Sequence, residues 1–206
     1  MRRSFMRLSL CSVARVLHAV TATLATITTA IFTLSSILPI YTMYGGPTRG
    51  AIALLWYHIE YLGVDIGIEF LNSLHVTAVA ILTGMFLSTA TLIFSAIKTH
   101  NVLRSRLLQA LSIASTVMMG ISTMFMRGIL YLQSLAVGSI PLELRYAVGA
   151  GLLDLGSSTI DITFIGHITL LTAALAQVLL IAFSALGAAH LYVFKTAEWR
   201  AEMCYQ

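Results

Sequence analysis

Four histidines lie within or beside long apolar stretches of the sequence, where ionisable side chains are uncommon. They are His18, His75, His167 and His190. A neutral imidazole binds metal ions through a ring nitrogen, and it also exchanges protons near neutral pH. A histidine at the boundary between lipid and water needs no ligand, so each residue alone is more simply explained as a polar side chain at that boundary. A functional site therefore requires that the apolar segments bring these histidines together in pairs.

Composition places the chain in a membrane. Of its 206 residues, 58% are hydrophobic and 10% are charged, and the mean hydropathy is +0.91. Four apolar stretches are long enough to cross a bilayer as helices: residues 16–40, 71–97, 107–131 and 162–194. The first is too long for a signal peptide and lacks a small-residue cleavage site, so we expect it to be retained. The sequence thus predicts an all-α, integral membrane four-helix bundle, a single membrane domain over residues 1–206.

Basic residues are concentrated at one set of span ends. Nine lie there: Arg2, Arg3, Arg7, Arg15, Lys98, Arg104, Arg106, Lys195 and Arg200. The two long loops on the other side hold only Arg49 and Arg145. The positive-inside rule then predicts a multi-pass protein of the cell membrane with both termini cytoplasmic and both long loops outside. The net charge of +4 suits the anionic surface of a lipid bilayer and does not indicate nucleic acid.

The two outer loops are themselves rich in apolar residues. In "RGAIALLWYHIEYLGVDIGIEF" (49–70), Ile52, Leu55, Trp56, Ile59 and Leu62 recur at helical spacing. The second loop, "IPLELRYAVGAGLLDLGSS" (140–158), has a similar composition. We therefore expect each outer loop to form short interfacial helices that lie over the bundle.

Depth in the bilayer sorts the histidines into two pairs. The second and fourth spans run in the same direction, so His75 and His167 both fall near the outer boundary, whereas His18 and His190 fall near the cytoplasmic face. A short internal similarity supports the outer pair, because "IEFLNSLHVT" (68–77) aligns with "IDITFIGHIT" (160–169) and sets one histidine against the other. The similarity is explained equally by duplication of a helix pair or by chance.

Three of the histidine-bearing segments resemble a known family. The segments "RVLHAVTATL" (15–24), "LHVTAVAIL" (74–82) and "HLYVF" (190–194) are similar to helices of the cytochrome b subunits of membrane-bound hydrogenases and formate dehydrogenases. That family has four helices and two b-type haems. The resemblance implies that His75 and His167 are axial ligands of an outer haem iron, and that His18 and His190 are ligands of an inner one.

The same resemblance implies a function. The chain would be an electron-transfer subunit of a respiratory complex, without catalytic residues of its own. It would pass electrons through haem b between other membrane or peripheral subunits of an oxidoreductase complex and the quinone pool.

The spacing of the fourth-span histidines departs from that family. His167 and His190 are 23 positions apart, which corresponds to roughly 34 Å along a helix. Two haems working in series would lie closer together, so one haem at the outer pair is better supported than two. Arg127 lies roughly 30 Å along the third span and so reaches the same outer layer. We expect it either to be buried against Glu69, Asp161 or a haem propionate, or to extend to the headgroups.

A haem-free protein is the alternative interpretation. Cytoplasmic termini, two outer loops and a tryptophan in the first of them resemble claudin-type proteins in layout, although the first loop lacks the cysteine pair of that family. Small and hydroxylated residues in the spans, among them Gly84 and Gly120, favour close helix packing. This interpretation implies a tetraspan protein for structure, assembly or adhesion. A channel or transporter is less well supported, because the middle of each span lacks charge.

Overall fold

The computed structural model describes residues 2–136, 148–154, 159–166 and 168–198. Its helices are α1 (Arg2–Ile37), α2 (Glu69–Ile97), α3 (Thr99–Arg104), α4 (Arg106–Ala136) and α5 (Ile168–Glu198). Its strands are β1 (Tyr41–Gly45), β2 (Thr48–Ile52), β3 (Tyr57–Tyr61), β4 (Val64–Asp65), β5 (Val148–Asp154) and β6 (Thr159–Gly166).

Four of these helices are long and apolar enough to cross a membrane. The spans are Ser12–Ile37, Glu69–Ile97, Arg106–Gln133 and Leu175–Thr196. Between 33% and 44% of the residues in their most apolar stretches are buried inside the protein, so most side chains face outward. Large apolar residues such as Val20, Ile27 and Leu87 are exposed on these helices. An apolar outer surface is what a bilayer requires, so the prediction of a multi-pass helical membrane protein is confirmed.

The fourth span begins later than the sequence predicted. Residues 162–166 belong to β6, and the helix begins at Ile168. In the segment "TIDITFIG" (159–166), apolar Ile160, Ile162 and Phe164 alternate with polar residues, which is the period of a strand. The internal similarity is therefore not a structural repeat, because its first copy starts α2 and its second copy lies largely in β6.

In the described part of the two loops the structure has strands where the sequence predicted interfacial helices, so that prediction is wrong there and the fold is not all-α. Residues of both loops form one six-stranded sheet with the strand order β4-β3-β2-β1-β6-β5, in which every neighbouring pair is antiparallel. The first loop supplies four strands and the second supplies two. The two sets meet where β1 pairs with β6, from Tyr41 opposite Gly166 to Tyr44 opposite Thr163.

Two tight turns explain why the first loop forms strands. Gly46 and Pro47 connect the paired residues Gly45 and Thr48, and Gly46 has a φ of 52°. A positive φ at the first central position followed by proline matches a type II′ hairpin turn. Leu62 and Gly63 connect β3 to β4 with φ values of 52° and 82°, as in a type I′ turn. Both turns impose antiparallel pairing on the residues beside them.

The chain divides into two compact units. We call Met1–Thr29, Gly84–Ser122 and Leu179–Gln206 the terminal unit, and Ala30–Thr83 and Thr123–Val178 the sheet unit. In the terminal unit, the hydroxyls of Thr29 and Thr89 hydrogen-bond across α1 and α2 at 2.8 Å. A Cβ atom added at Gly120 would lie 3.5 Å from Phe183, so this glycine lies at a helix contact as expected. One added at Gly84 would meet no described atom within 4 Å, so the close approach expected there is not found.

In the sheet unit, hydrogen bonds fasten the β2–β3 connection to the helices. The backbone N–H of Leu54 donates to the carbonyl of Ser35 on α1 at 2.9 Å. The indole N–H of Trp56 donates to the carbonyl of Ile37, also on α1, at 3.1 Å. The buried amide of Gln133 on α4 donates to the carbonyls of Ala53 and Leu54 at 3.4 and 3.3 Å. These bonds hold the first loop against two helices.

Candidate functional site

The structure brings His18 and His190 together inside the terminal unit. Their ring centroids are 5.0 Å apart with the ring planes inclined at 35°. The side chains are 1% and 0% exposed. Ala14, one turn before His18, and Phe194, one turn after His190, belong to the same buried cluster. Apolar residues at helical spacing therefore direct both imidazoles into the core, as the pairing by depth predicted. We call His18 and His190 the inner pair.

Two hydroxyl side chains on α4 hold the inner pair. Ser112 Oγ lies 3.4 Å from Nδ1 of His18, and Thr116 Oγ1 lies 3.0 Å from Nδ1 of His190. Both hydroxyl residues are fully buried. They are four positions apart, so they occupy the same face of α4. Sequence reasoning missed them, because serine and threonine are common in membrane helices; their spacing of four residues at the depth of two histidines was the available signal.

The hydrogen bonds of Thr116 determine the tautomer of His190. Its hydroxyl donates to the backbone carbonyl of Ser112 at 2.9 Å. A hydroxyl has one hydrogen, so the contact of 3.0 Å with His190 requires Thr116 to accept a hydrogen bond from Nδ1–H. The proton of the neutral ring is therefore on Nδ1, and Nε2 of His190 carries a lone pair.

The Nε2 atoms of the inner pair have no hydrogen-bond partner among the described residues, and both are inaccessible to solvent. Leaving a buried polar atom unpaired costs about 1–3 kcal/mol. Folded proteins rarely tolerate this cost without a reason, and binding of an ion or ligand through the unpaired atom is one such reason. The inner pair thus has the character of a site rather than of ordinary core packing.

A haem does not fit between the rings of the inner pair as they are packed. Axial histidines bind iron from opposite faces of a porphyrin, so the macrocycle must lie between the two rings. Here the rings are 5.0 Å apart, and the ring of Phe194 lies 5.7 Å from His18 and 5.8 Å from His190. Rings packed in this way leave no room for a porphyrin between them. Haem ligation by the inner pair stays a prediction, and it requires the two side chains to separate.

Only one residue of the outer pair, His75, lies among the described residues. His75 lies near the start of α2, is 9% exposed, and has its ring 5.6 Å from that of Tyr57. Its Nε2 atom also lacks a hydrogen-bond partner within the described part of the chain. His75 lines an open cavity of about 440 Å³ together with Trp56, Tyr57 and the exposed side chains of His58 and Asp65, which lie 3.2 Å apart. His167 lies outside the described residues, so the pairing of His75 with His167 stays a prediction.

Arg127 is not buried, contrary to one of the two expectations. It is exposed on α4 beside Met124 and Phe125, which are 62% and 58% exposed. The buried face of this part of α4 carries Met126, Leu130 and Gln133 instead. Over the described residues, Arg127 forms no ion pair with Glu69, the first residue of α2, or with Asp161 in β6. Its position leaves extension towards a headgroup layer as the simpler explanation.

No group of three or more His, Cys, Asp or Glu side chains is arranged to hold a metal ion in the described ranges. Sites with the ligand number of structural zinc or of calcium are therefore not found there.

Comparisons of the chain with protein-family models, with curated proteins and with solved structures found no match, so its function is inferred from its own geometry.

Proposed function

We propose that this chain is a haem-free tetraspan protein of the cell membrane whose outer sheet serves assembly or adhesion. The observation that carries the proposal is the pairing of β1 with β6, which joins strands of both loops into one continuous sheet. The asymmetric distribution of basic residues supports cytoplasmic termini and an external sheet. A large ordered surface outside the membrane, fastened to helices that cross it, suits recognition of another protein.

The hairpin end of the sheet presents apolar side chains to solvent. Leu62 is 69% exposed, Val64 is 66% exposed, and Tyr44 is 51% exposed. Leu62 and Val64 flank Gly63 in the turn between β3 and β4. Tyr44 lies apart from them, because β1 is three strands from β4 and the residue after Tyr44, Gly45, is the one in the same row as Val64. We call Leu62 and Val64 the apolar tip. Exposed apolar groups gathered at one end of a domain favour contact with a partner surface.

Leu62 supports this function in a second way. Its φ of 52° lies in the left-handed region, where a large side chain is unfavourable. Asparagine or glycine is preferred at this position of a type I′ turn. A leucine that is both strained and exposed contributes nothing to the stability of the turn. Strain of this kind persists mainly at functional positions.

The experiment replaces Leu62→Asn and measures stability and association separately. Asparagine tolerates a positive φ, so the turn should be at least as stable as before. Association should fall, measured as energy transfer between labelled copies within one liposome and as tethering between liposomes. Gly67→Asn is the control, because it introduces the same residue beside the sheet, at a position where a Cβ atom would meet no described atom within 4 Å, without removing apolar surface. Wild-type protein that neither assembles nor tethers would refute the proposal.

Electron transfer through b-type haem is a second candidate function, and the unpaired Nε2 atoms of His18 and His190 favour it. Hydrogen bonds from Nδ1 to protein groups are also typical of imidazoles that bind metals. In this function the chain is a subunit of an oxidoreductase complex that exchanges electrons with quinone. This second function, unlike the first, predicts a b-type absorption band after reduction with dithionite, and ligation by the inner pair predicts its loss in His18→Ala and His190→Ala.

The outer pair provides the contrasting variants for that measurement. Loss of the band only in His75→Ala and His167→Ala would assign the haem to the outer pair instead. Replacement of His100, in the short α3 segment, should leave the band unchanged. Protein purified with its partners that shows no band would leave assembly or adhesion as the remaining function.

A further inference from the structure

The proposed function concerns the sheet, and it leaves the charge of the terminal unit unexplained. Nine of the 12 Lys and Arg residues of the chain fall in this unit, against two of the 8 acids. Both acids, Glu198 and Glu202, lie near the end of the chain. The positive-inside rule accounts for the sign of this charge. It does not account for the way in which the basic side chains are arranged.

Two of the basic side chains line one cavity of about 300 Å³. Arg15 lies near the start of the first span, and Lys98 directly follows the last residue of α2. The amide side chain of Asn101 lines the same cavity, and no acidic residue is among its described lining residues. Neither Arg15 nor Lys98 forms an ion pair with a described side chain. Guanidinium and ammonium groups only donate hydrogen bonds, so the cavity offers donors and positive charge to a ligand.

Packing beside the cavity holds its walls together. Ala14 precedes Arg15, and Val102 follows Asn101. Both apolar residues are fully buried, and they belong to one cluster with two residues of α5. The start of α1 is thereby packed against α3, so the two cations cannot separate freely. Like charges held at one cavity repel each other, and an anion bound by both would remove that repulsion.

We propose that Arg15 and Lys98 bind the phosphate group of an organic phosphate, with the amide of Asn101 as a further donor. A guanidinium binds phosphate through two parallel hydrogen bonds, and an ammonium binds it as a point charge. Ile97 also lines the cavity and is 74% exposed, so an apolar tail can lie beside the charged group. A zwitterionic headgroup is disfavoured, because its ammonium group would meet two cations and no acid.

Two sources offer this chemistry at a membrane boundary, namely anionic phospholipids and soluble organic phosphates. The topology proposed above places the cavity at the cytoplasmic leaflet, whose lipids carry negative charge. Native mass spectrometry of the full chain in detergent measures apparent dissociation constants for phosphatidylglycerol, phosphatidylcholine and glycerol phosphate. We expect phosphatidylglycerol to bind at least about tenfold more tightly than phosphatidylcholine, because like charges oppose the latter. Glycerol phosphate that binds as tightly as phosphatidylglycerol would assign the site to a soluble phosphate, and weaker binding would assign it to a lipid.

Matched variants separate a site from general attraction between a basic surface and an anion. Arg15→Gln and Lys98→Gln should each lower the affinity for phosphatidylglycerol at least about tenfold, because each removes a charged donor to phosphate. Lys195→Gln is the control, since it removes one charge from the last turn of α5, outside the described lining. The control should lower the affinity less than about threefold, because a more distant charge is screened by salt. All three side chains are exposed, so the substitutions remove no core packing.

Two outcomes would overturn the phosphate site. The wild-type protein could bind phosphatidylglycerol no more tightly than phosphatidylcholine and fail to bind glycerol phosphate. Lys195→Gln could also lower the affinity as much as Arg15→Gln and Lys98→Gln, which would leave only general attraction to the basic surface. Neither outcome bears on association through the sheet, which is measured separately with Leu62→Asn.

Discussion

At the scale of single residues, one hydroxyl determines the chemistry of a neighbour. The hydroxyl of Thr116 donates its only hydrogen to the carbonyl of Ser112, so it accepts a hydrogen bond from Nδ1–H of His190. The Nε2 atom of His190 therefore has no proton. The sequence predicted that His18 and His190 lie at one depth, because His18 opens the first span, His190 closes the fourth, and both of these span ends lie on the predicted cytoplasmic side. It did not predict the hydroxyls, since their role depends on the rotation of α4 about its axis.

Thr116→Val should destabilise the protein by about 1–3 kcal/mol, because it leaves the Nδ1–H group of His190 buried without an acceptor. Thermal unfolding in detergent without added metal measures the change. Thr91→Val is the control, since Thr91 is only partly buried and its hydroxyl donates to the carbonyl of Leu87 on its own helix. We expect the control to change stability by less than about 0.5 kcal/mol. Equal effects of the two variants would remove Thr116 from the inner site.

At the scale of elements, composition predicted the helices well and the strands poorly. The spans in α1, α2 and α4 follow from runs of apolar residues that are too long for a soluble protein of this size to bury. In the first outer loop, Ile52, Ile59 and Leu62 satisfy helical spacing, yet Ile52 and Ile59 are the buried residues of adjacent strands. The pairing of β1 with β6 depends on residues far apart in sequence, and no local pattern encodes it.

Gly45→Ala should disrupt that pairing. A Cβ atom at this position would overlap the backbone carbonyl of Asp161 and lie 2.9 Å from Cα of Ile162, both in β6. Backbone atoms cannot rotate away as a flexible side chain can, so we expect a cost of about 1–3 kcal/mol. Hydrogen exchange should show lost protection of the amides in β1 and β6. Gly67→Ala is the control, because an added Cβ would meet no described atom within 4 Å; equal protection in both variants would contradict the register.

At the scale of the whole molecule, charge asymmetry and hydropathy predicted a tetraspan membrane protein, and the four apolar helices confirm the membrane class. The direction of the chain across the bilayer rests on the basic residues alone. Their distribution is a property of the sequence, whereas the sheet that the loops form is a property of tertiary pairing. The candidate site depends on both kinds of property. The positions of His18 and His190 in their spans follow from the sequence, whereas their contacts with Ser112 and Thr116 follow from helix packing.

Labelling of intact cells tests the direction of the chain. A cysteine at Val64, which is 66% exposed in the sheet unit, should react with a membrane-impermeant reagent. A cysteine at Asn101, which is exposed in α3, should react only after the membrane is opened. Both are introduced into a chain without Cys11 and Cys204. Reaction of the Asn101 probe alone in intact cells would reverse the topology.

The pairing of β1 with β6 has a consequence for how the protein is made. During synthesis the residues of β1 emerge long before their partners in β6, since α2 and α4 lie between them in the chain. Until β6 follows, one edge of β1 has unsatisfied backbone groups that attract foreign strands. On whichever side of the membrane the two loops lie, the nascent first loop is therefore exposed to misassembly until the second loop reaches that side. Slow delivery of the second loop would then yield aggregates rather than a partly folded protein.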